Sequence, residues 1–151
     1  MKLELRHAQP ADLPAVDAFV GAYHRFEGIP AGSAAEAVRP LLGDNAFGRI
    51  WLIDVDGVPA GYVAVCFGYS IEFGGRDAFV DEFFLDEAFR GRGIGSAVLD
   101  LLPDAVAPFG VRALHLEVGR DNDRARRLYG ARGFEARDGY LLMSRRLDGN
   151  G

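Results

Sequence analysis

The stretch Phe83-Phe84-Leu85-Asp86-Glu87-Ala88-Phe89-Arg90-Gly91-Arg92-Gly93-Ile94-Gly95-Ser96 concentrates the residues best suited to chemistry. Gly91, Gly93 and Gly95 alternate between the end of an apolar run and the start of a helical pattern. Glycine lets a backbone approach a ligand closely, and the free amides and dipole of a helix start favour a phosphate. Arg90 and Arg92 add positive charge at the same point. The loop is a poor dinucleotide fingerprint, because Ser96 stands where the third glycine of G-x-G-x-x-G would fall. Metal and nucleophile chemistry find less support. His7, His24 and His115 lack ligand spacing, Cys66 sits in an apolar run that suits an inert core thiol, and no G-x-S-x-G occurs. No metal is expected.

The elements that must carry this loop follow from periodicity. Leu3–Arg6 reads as a strand, and apolar residues from Leu13 to Phe26 follow helical spacing from about Asp12. Ser33-Ala34-Ala35-Glu36 is a capping-box pattern that opens a second, short helix ended by Gly43. Ile50–Val55 and Pro59–Phe67 are strands joined by the hairpin turn Asp56-Gly57. Ala78–Leu85 is the next strand, then a helix from Gly93 to Ala107, a strand Val111–Val118 and a helix from Asn122 to Arg132. Phe134–Arg137 and Tyr140–Arg145 flank a second hairpin signal, Asp138-Gly139. The order predicts an α/β (α+β) fold, a mixed sheet of six to seven strands with helices on both faces, in one domain over 1–151.

Composition bounds the function. The 151 residues are 49% hydrophobic and 26% charged, the balance of a globular domain. No apolar run reaches a membrane span, and neither a signal-peptide core nor a second cysteine appears, so a cytoplasmic chain without membrane contact is expected. A net charge of −5 disfavours nucleic acid. Five basic and nine acidic residues in 1–75, against twelve and thirteen in 76–151, suggest a cationic ligand at one place and an anionic one at another.

Arg90-Gly91-Arg92-Gly93-Ile94-Gly95 resembles the R-x-x-G-x-G acyl-CoA loop of the GNAT acyltransferase superfamily. Asn122, Ala125, Leu128-Tyr129 and Gly133-Phe134 resemble that family's N-x-x-A-x-x-x-Y…G-F pattern, and element order and length fit across the chain. The resemblance implies an N-acetyltransferase with acetyl-CoA as cosubstrate and direct transfer to the primary amine of a small molecule. It implies that Phe83, Phe84 and Leu85 pair with pantetheine through their backbone. Amides of Gly91, Arg92, Gly93, Ile94, Gly95 and Ser96 would hold the pyrophosphate, with Arg90 and Arg92 nearby. Asn122 would contact pantetheine, and Tyr129 would be the general acid for the departing thiolate.

An alkyl amine also needs help to lose its proton at pH 7, at a cost of about 4–5 kcal/mol. Asp81 and Glu82 are the first candidates and Glu117 a third. Strand alternation puts Asp81 and Glu82 on opposite faces, but a bulge would undo that parity, so the choice stays open. Phe79–Leu85, with Phe67-Gly68-Tyr69-Ser70 and Phe26-Glu27, resembles the diamine and polyamine acetyltransferases within the superfamily. That resemblance implies an acidic channel of Glu27, Glu72 and Asp81 for a cationic acceptor, and a homodimer. Rival readings are acetylation of a protein N-terminus or lysine, and a non-catalytic CoA-binding module.

Overall fold

The computed structural model describes residues 1–30, 32 and 34–149, so Ser33 of the capping-box pattern lies outside the described residues. The strands are β1 (Leu3–His7), β2 (Gly48–Val55), β3 (Val58–Ser70), β4 (Gly75–Leu85) and β5 (Leu114–His115). The helices are α1 (Leu13–Glu27), α2 (Ala34–Val38), α3 (Ile94–Val106) and α4 (Asp123–Ala131). The sheet runs β1-β2-β3-β4-β5, antiparallel up to β4 and parallel between β4 and β5. The Asp56-Gly57 hairpin forms as read, with both residues at positive φ (50° and 81°).

Strand alternation divides the core into two layers. Trp51, Ile53, Val63, Val65, Ala78 and Val80 pack with Ile94, Val98 and Leu102 of α3. Ile50, Leu52, Tyr62, Ala64 and Phe84 pack on the opposite face with Val16 and Val20 of α1 and Val38 of α2. The helices therefore do cover both faces.

The sheet is smaller than the sequence predicts: five strands among the described residues, not six to seven. Val111–Val118 contributes only Leu114 and His115 to the ladder, paired with Ala78 and Phe79. Phe134–Arg137 and Tyr140–Arg145 form no strand, although the Asp138-Gly139 turn does form and Tyr140 N–H donates to the Arg137 carbonyl at 3.1 Å. A hairpin needs a ladder to join, and a two-residue β5 offers almost none. Tyr140, Leu141, Leu142 and Met143 are left exposed.

One irregularity shapes the site. Ala64 pairs with Glu82 and Val65 with Val80, so Asp81 is an extra residue in β4, a β-bulge. Beyond the bulge β4 keeps its pairing with β3 through Leu85, and Gly61 lies directly against Phe84 and Leu85. A methyl group on Gly61 would collide with the Phe84 carbonyl oxygen. Gly61→Ala should therefore destabilise the fold by about 1–3 kcal/mol, the usual range for overpacking, read as a lower midpoint in urea unfolding.

Candidate active site

The bulge sets the site's geometry. Ala78 and Val80 face α3, whereas Glu82 and Phe84, after the extra residue, face α1. Asp81 and Glu82 then line one cavity of about 120 Å³ between the sheet, α1 and α2. Its other walls are mainly apolar, including Val20, Ala37, Val38, Ile50 and Ala64. Regular alternation would have put the two acids on opposite faces, and the bulge that the sequence left open as a possibility undoes that parity.

The two carboxyls are held differently. Glu82 accepts from the Tyr62 hydroxyl at 2.8 Å through Oε1, and its Oε2 lies 2.6 Å from His24 Nε2. Tyr62 is fully buried, and its ring packs among Phe19, Tyr23 and Phe84 with centroids 6.3–6.5 Å away. Burial, then the hydrogen bond to Glu82, drives the Tyr62 phenol far above its ordinary range, so it stays a donor. Asp81 has no hydrogen bond or ion pair among the described residues and opens to solvent. Crowding by protein, followed by the charges of Glu82 and Glu117, raises its carboxyl above the usual range, and His24 opposes this in part.

Two tyrosines face the same region. Burial raises the Tyr129 phenol. Burial, then Glu27, Glu82, Tyr129 and Asp81, pushes Tyr23 up to about 12. Tyr129 lies on α4 with its ring edge-on to Phe134 at 6.0 Å. Glu27, exposed at the end of α1, belongs to this electrostatic neighbourhood. Glu72 does not: it sits on the β3–β4 turn and bonds Arg137 at 2.9 Å.

Pairing between β4 and β5 stops at Phe79, so Asp81–Leu85, with Phe83, Phe84 and Leu85, has no strand partner on that side among the described residues. This open edge leads to the glycine loop. Gly91 and Gly93 adopt φ of 73° and 76°, which glycine takes without strain. Gly93 starts α3 with no side-chain cap, leaving the first amides of Ile94, Gly95 and Ser96 free for an anion. A methyl group on Gly95 would meet only ordinary contacts, Phe83 at 3.9 Å and Leu85 at 4.0 Å, so the protein leaves space there. Arg92 lies over the Phe89 ring at 5.6 Å. Arg90 is committed elsewhere, donating from Nε to the Leu85 carbonyl at 2.9 Å and covering the Phe26 ring at 4.7 Å. Asn122 caps α4, its Oδ1 accepting from Ala125 N–H at 3.1 Å.

Sequence reasoning missed His24, Tyr62 and Tyr23. Tyr23 read as helical periodicity, Tyr62 as strand and His24 as a histidine without ligand spacing, and only the fold brings His24 against Glu82, 58 residues away. No group of three or more metal-capable side chains occurs among the described residues.

The profile of the Acetyltransferase (GNAT) family matches residues 17–134. An uncharacterised N-acetyltransferase of Methanocaldococcus jannaschii is 34% identical over 101 residues, 64% of this chain. One of Bacillus subtilis is 38% identical over 72 residues, 48% of this chain. The matched stretch is 45% of the length of each, so the chain spans about half of these relatives. An integron cassette protein from a salt-marsh metagenome at Cole Harbour superposes with a TM-score of 0.81 at 33% identity, over 95% of this chain and 90% of its own. The chain belongs to the GNAT acetyltransferase family.

The contrast between the two acids has a measurable consequence. A carboxyl raised above its unfolded value costs stability once ionised, so Asp81→Asn should leave the melting temperature at pH 7 unchanged or slightly higher. Glu82→Gln removes charge-assisted hydrogen bonds and should cost about 1–3 kcal/mol. Calorimetry of both variants at pH 7 and pH 4 checks this, with any Asp81→Asn gain shrinking at the lower pH.

Proposed function

We propose that this GNAT-family chain is an acetyl-CoA-dependent N-acetyltransferase that acetylates the primary amine of a small molecule by direct attack in a ternary complex. The observation that carries the reading is the acid pair, Glu82 clamped and Asp81 free, beside an unpaired strand edge that leads to an uncapped helix start. Acetyl-CoA supplies the activated acyl carbon and a phosphate-bearing handle. Gly91–Ser96 would hold the pyrophosphate by backbone amides, with Arg92 beside it. The open edge at Phe83, Phe84 and Leu85 would pair with the pantetheine arm, and Asn122 would reach it through its amide NH₂.

Asp81 would receive the acceptor. As an anion it attracts an ammonium ion, and its raised carboxyl is a better proton acceptor than an ordinary aspartate. The neutral amine nitrogen bonds to the acyl carbon and the C–S bond breaks. The amine's proton passes to Asp81 or to a water it holds, and the Tyr129 phenol protonates the departing thiolate and is restored from solvent. Glu82, with both oxygens engaged, acts as a fixed anion rather than as the base. The small, largely apolar cavity favours a small amine over a peptide chain. With Glu72 bound to Arg137, the acidic channel contracts to Asp81, Glu82, Glu27 and Glu117, which suits a short amine better than a long polyamine.

The test is thiol release from acetyl-CoA with pools of short amines, polyamines, amino acids, aminoglycosides and short peptides. A small-amine pool should accelerate release well above the acceptor-free rate. With the acceptor so found, Asp81→Asn and Tyr129→Phe should each lower kcat/KM by about 10²–10⁴-fold. Tight binding of acetyl-CoA with no turnover by any pool would overturn the reading in favour of a CoA-binding module.

A further inference from the structure

Apart from the acids themselves, the side chain in contact with Glu82 that can change charge near neutral pH is His24. Its Nε2 sits 2.6 Å from Glu82 Oε2, and its side chain keeps 23% of its surface exposed, so protons can reach it from solvent. From β4, Glu82 contacts it directly and Asp81 couples to it electrostatically; Tyr62 of β3 bonds the same Glu82, and on its own helix the Tyr23 ring lies 5.9 Å away, with Glu27 coupled in turn to Tyr23. α2 brings only Ala34, Ala37 and Val38 to the shared cavity. Among the described residues, the cation in contact with Glu82 is His24, and its charge is conditional.

We infer that His24 is a positioning residue whose protonation sets the negative charge presented to a cationic acceptor: protonated, it neutralises Glu82, and neutral, it holds Glu82 in place while leaving both carboxylates uncompensated. This rests on the acid pair being the acceptor site. The site then prefers cations more strongly once His24 has lost its proton. Such a device opposes the wasteful binding of ammonium ions at low pH, where the amine is hardest to deprotonate.

A probe that cannot titrate separates this from the chemistry of the amine. Tetramethylammonium binding to the full chain, without acetyl-CoA, is followed by ligand-observed NMR from pH 5.5 to 8.5. Its affinity should rise roughly three- to tenfold across that range, the effect of one unit charge a few ångströms away in a partly solvated site. His24→Gln and His24→Asn keep a polar side chain but cannot titrate, and in both the rise should shrink to what Asp81 alone supplies. Asp81→Asn should weaken binding yet retain the rise that His24 supplies. A wild-type pH profile in both His24 variants would overturn the inference while leaving the acceptor site intact. Absence of binding to the wild-type chain at every pH would overturn both.

Discussion

The site depends on one extra residue in β4. Without a bulge at Asp81, strict alternation would turn Glu82 and Phe84 toward α3, into the layer built from Ile94, Val98 and Leu102. A carboxylate there would have no partner, at a cost of several kcal/mol. Phe84 would also leave the aromatic group of Phe19, Tyr23 and Tyr62. The inserted residue resolves both conflicts and places the two acids side by side over one cavity. A bulge also bends its strand and sharpens the local twist. Pairing between β4 and β5 ends two residues before it, at Phe79. The acid pair and the open strand edge therefore lie on the same stretch of β4.

Adjacent carboxylates repel, and the protein resolves this by treating them unequally. Glu82 is tied on both oxygens, by a buried phenol and an imidazole. Hydrogen bonds to a charged acceptor are worth about 1.5–3 kcal/mol each, enough to fix the Glu82 side chain in place. Asp81 has no such bond, and crowding by protein, followed by the charges of Glu82 and Glu117, raises its carboxyl. On the proposed pathway that inequality lets one acid serve as scaffold and the other exchange protons.

Much of this was legible in the sequence because it depends on local rules. The glycines at 91 and 93 announce a positive-φ loop before a helix, Asp56-Gly57 a tight hairpin, and apolar spacing places α1, α3 and α4 within a few residues of where they lie. Two kinds of feature were not legible. A bulge leaves no mark in composition, since Val80-Asp81-Glu82-Phe83 reads equally well as regular strand, so the shared face of the acids had to come from pairing register. Long-range partners are equally silent: His24 looks like one more position on a helix until the sheet brings Glu82 to it, and Glu72 looks available until Arg137 reaches it. The C-terminal strands fail for a third reason. Periodicity describes whether a segment could be a strand, but a strand also needs an edge to join.

Burial of Tyr129 constrains how it can act. Its phenol is raised above the ordinary value near 10, whereas a free thiol titrates near 8.5, so full transfer of the proton to the thiolate is uphill by at least about 2 kcal/mol. A phenol so placed is protonated at every physiological pH, which an acid with a lower pKa would not guarantee. Its contribution on the proposed pathway is therefore greatest as a hydrogen-bond donor to charge developing on sulfur, with transfer completed as the thiol product departs and water returns. The same burial that weakens Tyr129 as an acid also strengthens it as a donor, because a hydrogen bond to an ion gains in a medium of low dielectric. Asp81 gains proton affinity from its crowded setting, so the proton acceptor and proton donor of the proposed pathway are tuned by desolvation acting on groups of the same charge type.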